Sequence, residues 1–154
     1  MSAIITPYQD AHFVAVKALW EKVFPDDPPR DFAEISIAAK VKEHPELFLL
    51  ALDGGHVVGS VMAGYDGHRG WLYRVAVAPS HRHQGVGAML IHAAEQHLWA
   101  LGCVKINLQV RGTNAGVTAF YRKLGYVVEE RISMGKIAPG GSRPVGPLDS
   151  GKGS

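Results

Sequence analysis

The stretch Trp71-Leu72-Tyr73-Arg74-Val75-Ala76-Val77-Ala78-Pro79, continuing through Arg82-His83-Gln84-Gly85-Val86-Gly87, decides the fold. Its first half is an apolar, β-branched run that reads as a strand, closed by a proline that cannot continue the ladder. From Val86 to Leu101 the period changes, with Leu90, Ile91, Ala94, Leu98 and Leu101 marking one face of a helix that Gly102 ends. A glycine loop joins the two. The first N–H groups of a helix have no intrahelical partner and sit at the positive end of its dipole, so the junction suits an anion. Gly85 and Gly87 leave room for a phosphate to approach, and Arg82 adds fixed charge. The unit predicts a ligand that carries a diphosphate.

Upstream, Ala3 to Thr6 reads as a short strand ended by Pro7. From Asp10 to Phe24 the residues Phe13, Val16, Trp20 and Val23 recur at helical spacing, with Asp10 as the expected N-cap. The run from Pro25 to Pro29 stops that helix. A second is expected over Asp31 to Glu43, with Phe32, Ile35, Ala38, Ala39 and Val41 inward. Leu47 to Leu52 then reads as a strand, Asp53-Gly54-Gly55 as a hairpin turn, and His56 to Tyr65 as the returning strand. A further turn at Gly67 to Gly70 leads into the opening strand, which completes an antiparallel meander.

Downstream, Cys103 to Val110 is expected to be a strand. Gly112-Thr113-Asn114 opens a short helix that ends at Leu124 with Gly125 as its cap, and Tyr126 to Lys136 reads as a last strand or strand pair. The order β-α-α-β-β-β-α-β-α-β excludes a repeating doubly wound fold and predicts α+β architecture. Residues 1–137 form one expected domain. Residues 138–154 are rich in Gly, Pro and Ser and read as a flexible tail.

The 154 residues suffice for one domain with a substantial core. A net charge of +2 gives no reason to expect nucleic acid or an anionic membrane as partner. No apolar run approaches the roughly 20 residues that span a bilayer. The N-terminal residues lack the pattern of a secretory signal, and the single cysteine, Cys103, fits a reducing compartment, so a cytoplasmic location is expected. His81 and His83 lack a third partner at ligand spacing, so no metal site is expected. A dinucleotide-binding fingerprint would need glycine where Leu90 stands and an acidic residue near Val110 and Arg111. A phosphate loop needs Gly-Lys-Ser/Thr, which the chain does not contain.

Three features occur in order: Arg82-x-x-Gly85-x-Gly87, then Asn114, then Phe120-Tyr121-Arg122-Lys123-Leu124-Gly125-Tyr126. Together they resemble the GCN5-related N-acetyltransferase (GNAT) family, whose loop for acetyl-CoA reads Arg/Gln-x-x-Gly-x-Gly/Ala. The resemblance extends from about Ile4 to Ile137. Ala63-Gly64-Tyr65-Asp66-Gly67-His68-Arg69-Gly70 is closest to small bacterial acetyltransferases of uncertain substrate.

The resemblance implies a GNAT-type, mainly antiparallel sheet flanked by helices, and acetyl-CoA as co-substrate. It implies that the main chain of Val75, Ala76 and Val77 pairs with the pantetheine arm beside a β-bulge. Arg82, His83, Gln84, Gly85, Val86 and Gly87 would hold the diphosphate. Asn114 would contact the cofactor, or else cap its helix. Tyr121 would protonate the departing thiolate, since a phenol of ordinary pKa is protonated at neutral pH.

For the general base, Asp66 stands slightly ahead of His68 and Tyr73, with Asn107 or Gln109 as holders of a water. Glu129 and Glu130 read as solvated. Arg74 and Arg111 read as solvated charges, with a place beside the acceptor as the alternative. The expected reaction is acetyl transfer to a primary amine, a small molecule or a peptide N-terminus, by direct attack in a ternary complex. The alternative is an acyl-CoA-binding sensor without catalysis. A homodimer is compatible with either.

Overall fold

The computed structural model describes residues 3–111 and 114–140. In chain order the elements are β1 (Ile4–Pro7), α1 (Phe13–Val23), α2 (Ala33–Lys40), β2 (Phe48–Asp53), β3 (His56–Tyr65), β4 (Gly70–Val77), α3 (Val86–Ala100), β5 (Ile106–Asn107) and α4 (Ala115–Lys123). The strands form one sheet in the order β1-β2-β3-β4-β5. The pairings are antiparallel except between β4 and β5, which run parallel.

The sheet is covered on both faces, which explains the unbroken apolar run in β2. Leu47, Leu49 and Ala51 join the core beneath α3, while Phe48 and Leu50 join a second core beneath α1 and α2. Each large side chain fully buried there contributes about 2 kcal/mol. The β2–β3 hairpin turns on Gly54 and Gly55, both at positive φ (57° and 83°), as a primed two-residue turn requires.

The register of β3 against β4 contains the feature that positions the site. Ser60 pairs with Ala76, but Met62 pairs with Tyr73, so β4 carries one extra residue between them. That bulge holds Arg74 at φ 53°, in the left-handed region. Val75 and Val77 pack toward the α3 core and Ala76 toward the α1/α2 core.

The structure corrects several expectations. Asp10 does not cap a helix: it begins a 3-10 turn, Asp10–His12, that precedes α1. The cap is Gln9, whose N–H donates to His12 Nδ1 at 3.0 Å. The second helix is shorter than expected and rotated, burying Ala33, Ser36 and Ile37 while Phe32 and Val41 are exposed. A 3-10 turn at Pro29–Asp31 leaves Phe32 as N-cap, so Ala33, Ser36 and Ile37 face the core.

The strand expected over Cys103 to Val110 contracts to Ile106–Asn107, and Tyr126 to Lys136 forms no strand at all. Side-chain bonds tie this last segment to β5 and its extension: Lys105 and Asn107 donate to Glu129 at 2.6 and 2.9 Å, and Gln109 donates to Ser133 at 2.6 Å. Its Val127, Val128, Ile132 and Met134 are exposed, because apolar spacing alone supplies no partner strand. The tail expected from 138 onward lies mostly outside the described residues.

Candidate active site

β5 accompanies β4 only at Gly70–Ile106 and Trp71–Asn107, and the strands then part. From Leu72 to Val77, β4 has no strand partner on that side among the described residues. The unpaired main-chain groups can accept an extended ligand that carries amides, as a sheet edge accepts a peptide. Leu108, Val110, Val117 and Phe120 pack against the α3 core on the α4 side of the gap.

The gap opens toward the start of α3. Gly85 is its N-cap, in the left-handed region at φ 83°, and no side chain caps the helix. His83 is also left-handed (φ 62°). The loop side chains are exposed, and the Arg82 Nε–H donates to the Val77 carbonyl at 3.3 Å. The free N–H groups of the first turn, a nearby guanidinium and solvent access together suit a phosphate ligand.

The two glycines have different reasons to be there. A Cβ on Gly85 would meet nothing within 4 Å, so its backbone conformation calls for glycine. A Cβ on Gly87 would lie 3.0 Å from Phe120 Cζ, so Gly87 lets α4 close on α3. Gly87 is expected from the sequence to make room for a phosphate; the structure gives it a packing reason, burial beneath Phe120.

Tyr121 is buried between Phe120 and Tyr126, with edge-on contacts at 5.0 and 5.9 Å between ring centroids. Burial pushes its phenol up to about 12. It is therefore a proton donor across the neutral range. Tyr126 is anchored by its hydroxyl donating to Glu95 at 2.7 Å, and burial followed by that bond raises its pKa strongly. The Asn114 side chain accepts from the Val117 N–H at 3.2 Å, so it caps α4.

Arg74 is not a solvated charge. Its guanidinium forms a two-pronged pair with Asp27, donates to the Asp31 carbonyl at 2.6 Å, and lies 4.6 Å from the Trp20 ring centre and 4.4 Å from that of Phe24. Trp20 Nε1–H donates to Ser60 Oγ at 2.9 Å, and Ser60 donates to the Arg74 carbonyl at 2.9 Å. The connection between α1 and α2 is thereby fastened to the bulge. Ser60 was the legible signal for this network, since a lone hydroxyl inside an apolar strand needs a buried partner. The pairing of Arg74 with Asp27 had none, because 46 residues separate the two in the chain.

On the α2 side of the sheet a cavity of about 320 Å³ is lined by Lys40, Glu43, His44, Tyr65, Asp66, Trp71 and Tyr73, among others. Asp66 Oδ1 accepts from the N–H groups of His68 and Arg69 at 2.8 and 2.7 Å. Those two bonds, Arg69 first, lower its pKa from the ordinary aspartate value. Tyr73 is raised by burial and by the Asp66 charge, which places these groups in one electrostatic neighbourhood. Glu129, expected to be solvated, is held by Lys105 and Asn107, and its pKa is lowered chiefly by Lys105. Asn107 and Gln109 are engaged by Glu129 and Ser133.

Known proteins resemble this chain in sequence and in fold. Residues 12–126 match the acetyltransferase (GNAT) family profile. An acetyltransferase of Sodalis glossinidius is 42% identical over 130 residues, covering 84% of this chain and 91% of that protein. An uncharacterized N-acetyltransferase of Yersinia pestis is 43% identical over 129 residues, covering 84% and 91%. The crystal structure of the PaiA N-acetyltransferase from Thermoplasma acidophilum, in complex with coenzyme A, superposes with a TM-score of 0.74 at 19% identity, covering 86% of this chain and 94% of that one. The chain thus belongs to the GNAT family, and its relatives make it an acetyl-CoA-dependent acyltransferase.

Proposed function

We propose that the protein transfers the acetyl group of acetyl-CoA to a primary amine, a small molecule or a peptide N-terminus, by direct attack in a ternary complex. The observation that carries this is the gap between β4 and β5, which leads from the bulge at Arg74 to the uncapped start of α3. Acetyl-CoA supplies an acyl carbon activated as a thioester. The β4 main chain at Val75, Ala76 and Val77, on the side away from β3, aligns its amide-bearing arm. The first-turn N–H groups at Gly85, Val86 and Gly87, with Arg82 and the main chain of His83 and Gln84, hold its diphosphate. A main-chain N–H at the bulge holds the acyl oxygen where negative charge develops.

Tyr121 donates the proton that the leaving sulfur needs. Its raised pKa keeps that proton in place until charge forms nearby. Asp66 accepts the proton that becomes acidic as the carbon–nitrogen bond forms, which requires only a weak base. The cavity is open to water, so a protonated acceptor loses its first proton to solvent and attacks as the free amine.

The test is thiol release from acetyl-CoA over a panel of amines and peptides, together with thermal denaturation. Saturation at 100 times the dissociation constant stabilises the folded state by about 2.7 kcal/mol, or roughly 5–10 °C for a chain of this size. Binding without turnover across the panel would instead support a sensor. Asp66→Asn retains the acceptor oxygen for His68 and Arg69 while removing the charge. An unchanged rate in that variant would leave Asp66 as a turn residue only.

A further inference from the structure

The cavity beside Tyr73 has a chemical character that narrows the acceptor, given the acetyltransferase reading above. Its aromatic side is Trp71 and Tyr73, stacked at 6.4 Å with 23° between their planes, and Tyr73 is 52% exposed on the sheet face. Beside them the half-buried Lys40, in the last turn of α2, donates from Nζ to the Ala63 carbonyl. No carboxylate lies within 4 Å of that ammonium among the described residues. Glu43 and Glu46 act on it only at longer range, and burial, the larger effect, lowers its pKa. On the same cavity sits Asp66, with one carboxylate oxygen committed to the turn.

The register places these charges against the reacting position. Ala63 pairs with Leu72 and Met62 with Tyr73, so the carbonyl that holds Lys40 is two residues along β4 from the bulge at Arg74. At about 3.3 Å per residue this is roughly 7 Å along the strand. A cation without a carboxylate within 4 Å, an aromatic face and two carboxylates, Asp66 and the more distant Glu43, thus border one cavity next to the bulge. Aromatic faces and carboxylates attract an ammonium, and a lysine ammonium attracts a carboxylate.

We infer that the acceptor is a small zwitterion of the free amino-acid type, its carboxylate held by Lys40 and its amine held near Asp66 over Tyr73. A peptide N-terminus, which has no carboxylate next to its amine, leaves Lys40 without that partner. The 320 Å³ volume lies at the small end of ligand cavities.

The experiment compares acetylation of the proteinogenic amino acids with that of their carboxamides, in the parent protein and in Lys40→Met and Lys40→Arg. Binding of the same compounds to the CoA-saturated protein is followed by calorimetry. Free acids are expected to be preferred over carboxamides by at least about tenfold in kcat/KM, which corresponds to about 1.4 kcal/mol. Lys40→Met should abolish the preference, Lys40→Arg should retain much of it, and the KM for acetyl-CoA should hold in both. Carboxamides or peptides equal to the free acids, or a preference that survives in Lys40→Met, overturns the inference. So does a protein that binds acetyl-CoA yet neither binds nor acetylates any free amino acid. Failure to bind acetyl-CoA refutes instead the reading on which the inference rests.

Discussion

Removing the Asp27 carboxylate tests whether the bulge in β4 is held from outside the sheet. The side chains of Arg74 and Asp27 are 14% and 17% exposed, so the pair lies near the buried limit. Breaking a fully buried pair costs about 3–5 kcal/mol, and an exposed one is worth about 0–1 kcal/mol. In Asp27→Ala the guanidinium keeps the Asp31 carbonyl and the faces of Trp20 and Phe24, which offsets part of the loss. The expected cost is about 2–3 kcal/mol, a fall of roughly 5–10 °C in the melting temperature. Arg74→Met removes the unpaired cation, so the double variant should be less destabilised than the sum of the singles, with a coupling of about 1–3 kcal/mol. Denaturant titration of the four proteins measures the cycle. Asp27→Ala within about 0.5 kcal/mol of the parent, or a cycle without coupling, would show that the Asp27 carboxylate does not hold the bulge.

Tyr121→Phe should lower turnover by about 10²–10⁴ while acetyl-CoA binding is nearly kept, and an unchanged rate would remove Tyr121 as the acid. The same residue makes a prediction about alkaline stability. Its folded pKa of about 12 exceeds the unfolded value of 10.0, so its contribution is complete below pH 10 and is lost as pH rises toward 12. Tyr121→Phe should therefore flatten the fall in stability over that window in denaturant titrations, and an unaltered slope contradicts the raised pKa. Gly87→Ala should cost about 1 kcal/mol by pressing on Phe120, despite the better helix propensity of alanine. Phe120→Leu should relieve that cost, and a Gly87→Ala protein that melts higher than the parent refutes the packing argument. Ending the chain after Ile137 is expected to leave the melting temperature nearly unchanged, and a large drop would show that the removed residues dock on the domain.

Local chemistry made much of the molecule readable in one dimension. The Asp-Gly-Gly turn needs positive φ at two successive positions, the glycines at 102 and 125 stop helices, and the uninterrupted apolar strand β2 requires cover on both faces. The geometry of the loop from Arg82 to Gly87 was readable because it depends on residues adjacent in the chain. What depends on distant contacts stayed hidden. The apolar pattern after Tyr126 resembles that of a strand, yet pairing depends on whether β5 offers an edge there. The same pattern leaves the face of α2 ambiguous, because the start set at Pro29 rotates a two-turn helix.

The candidate site divides along the same line. Tyr121 and the glycine loop stand out by residue type and spacing, whereas Arg74 looks like any surface charge until Asp27, Trp20 and Ser60 surround it. Lys40 and Asp66 come to one cavity only because the last turn of α2 reaches the Ala63 carbonyl on β3. The sequence by itself determined the family and the elements from β1 through α3, save the extent and face of α2, since these follow from neighbouring residues. Tertiary structure alone decided which charges are paired, because pairing is a property of distance in space.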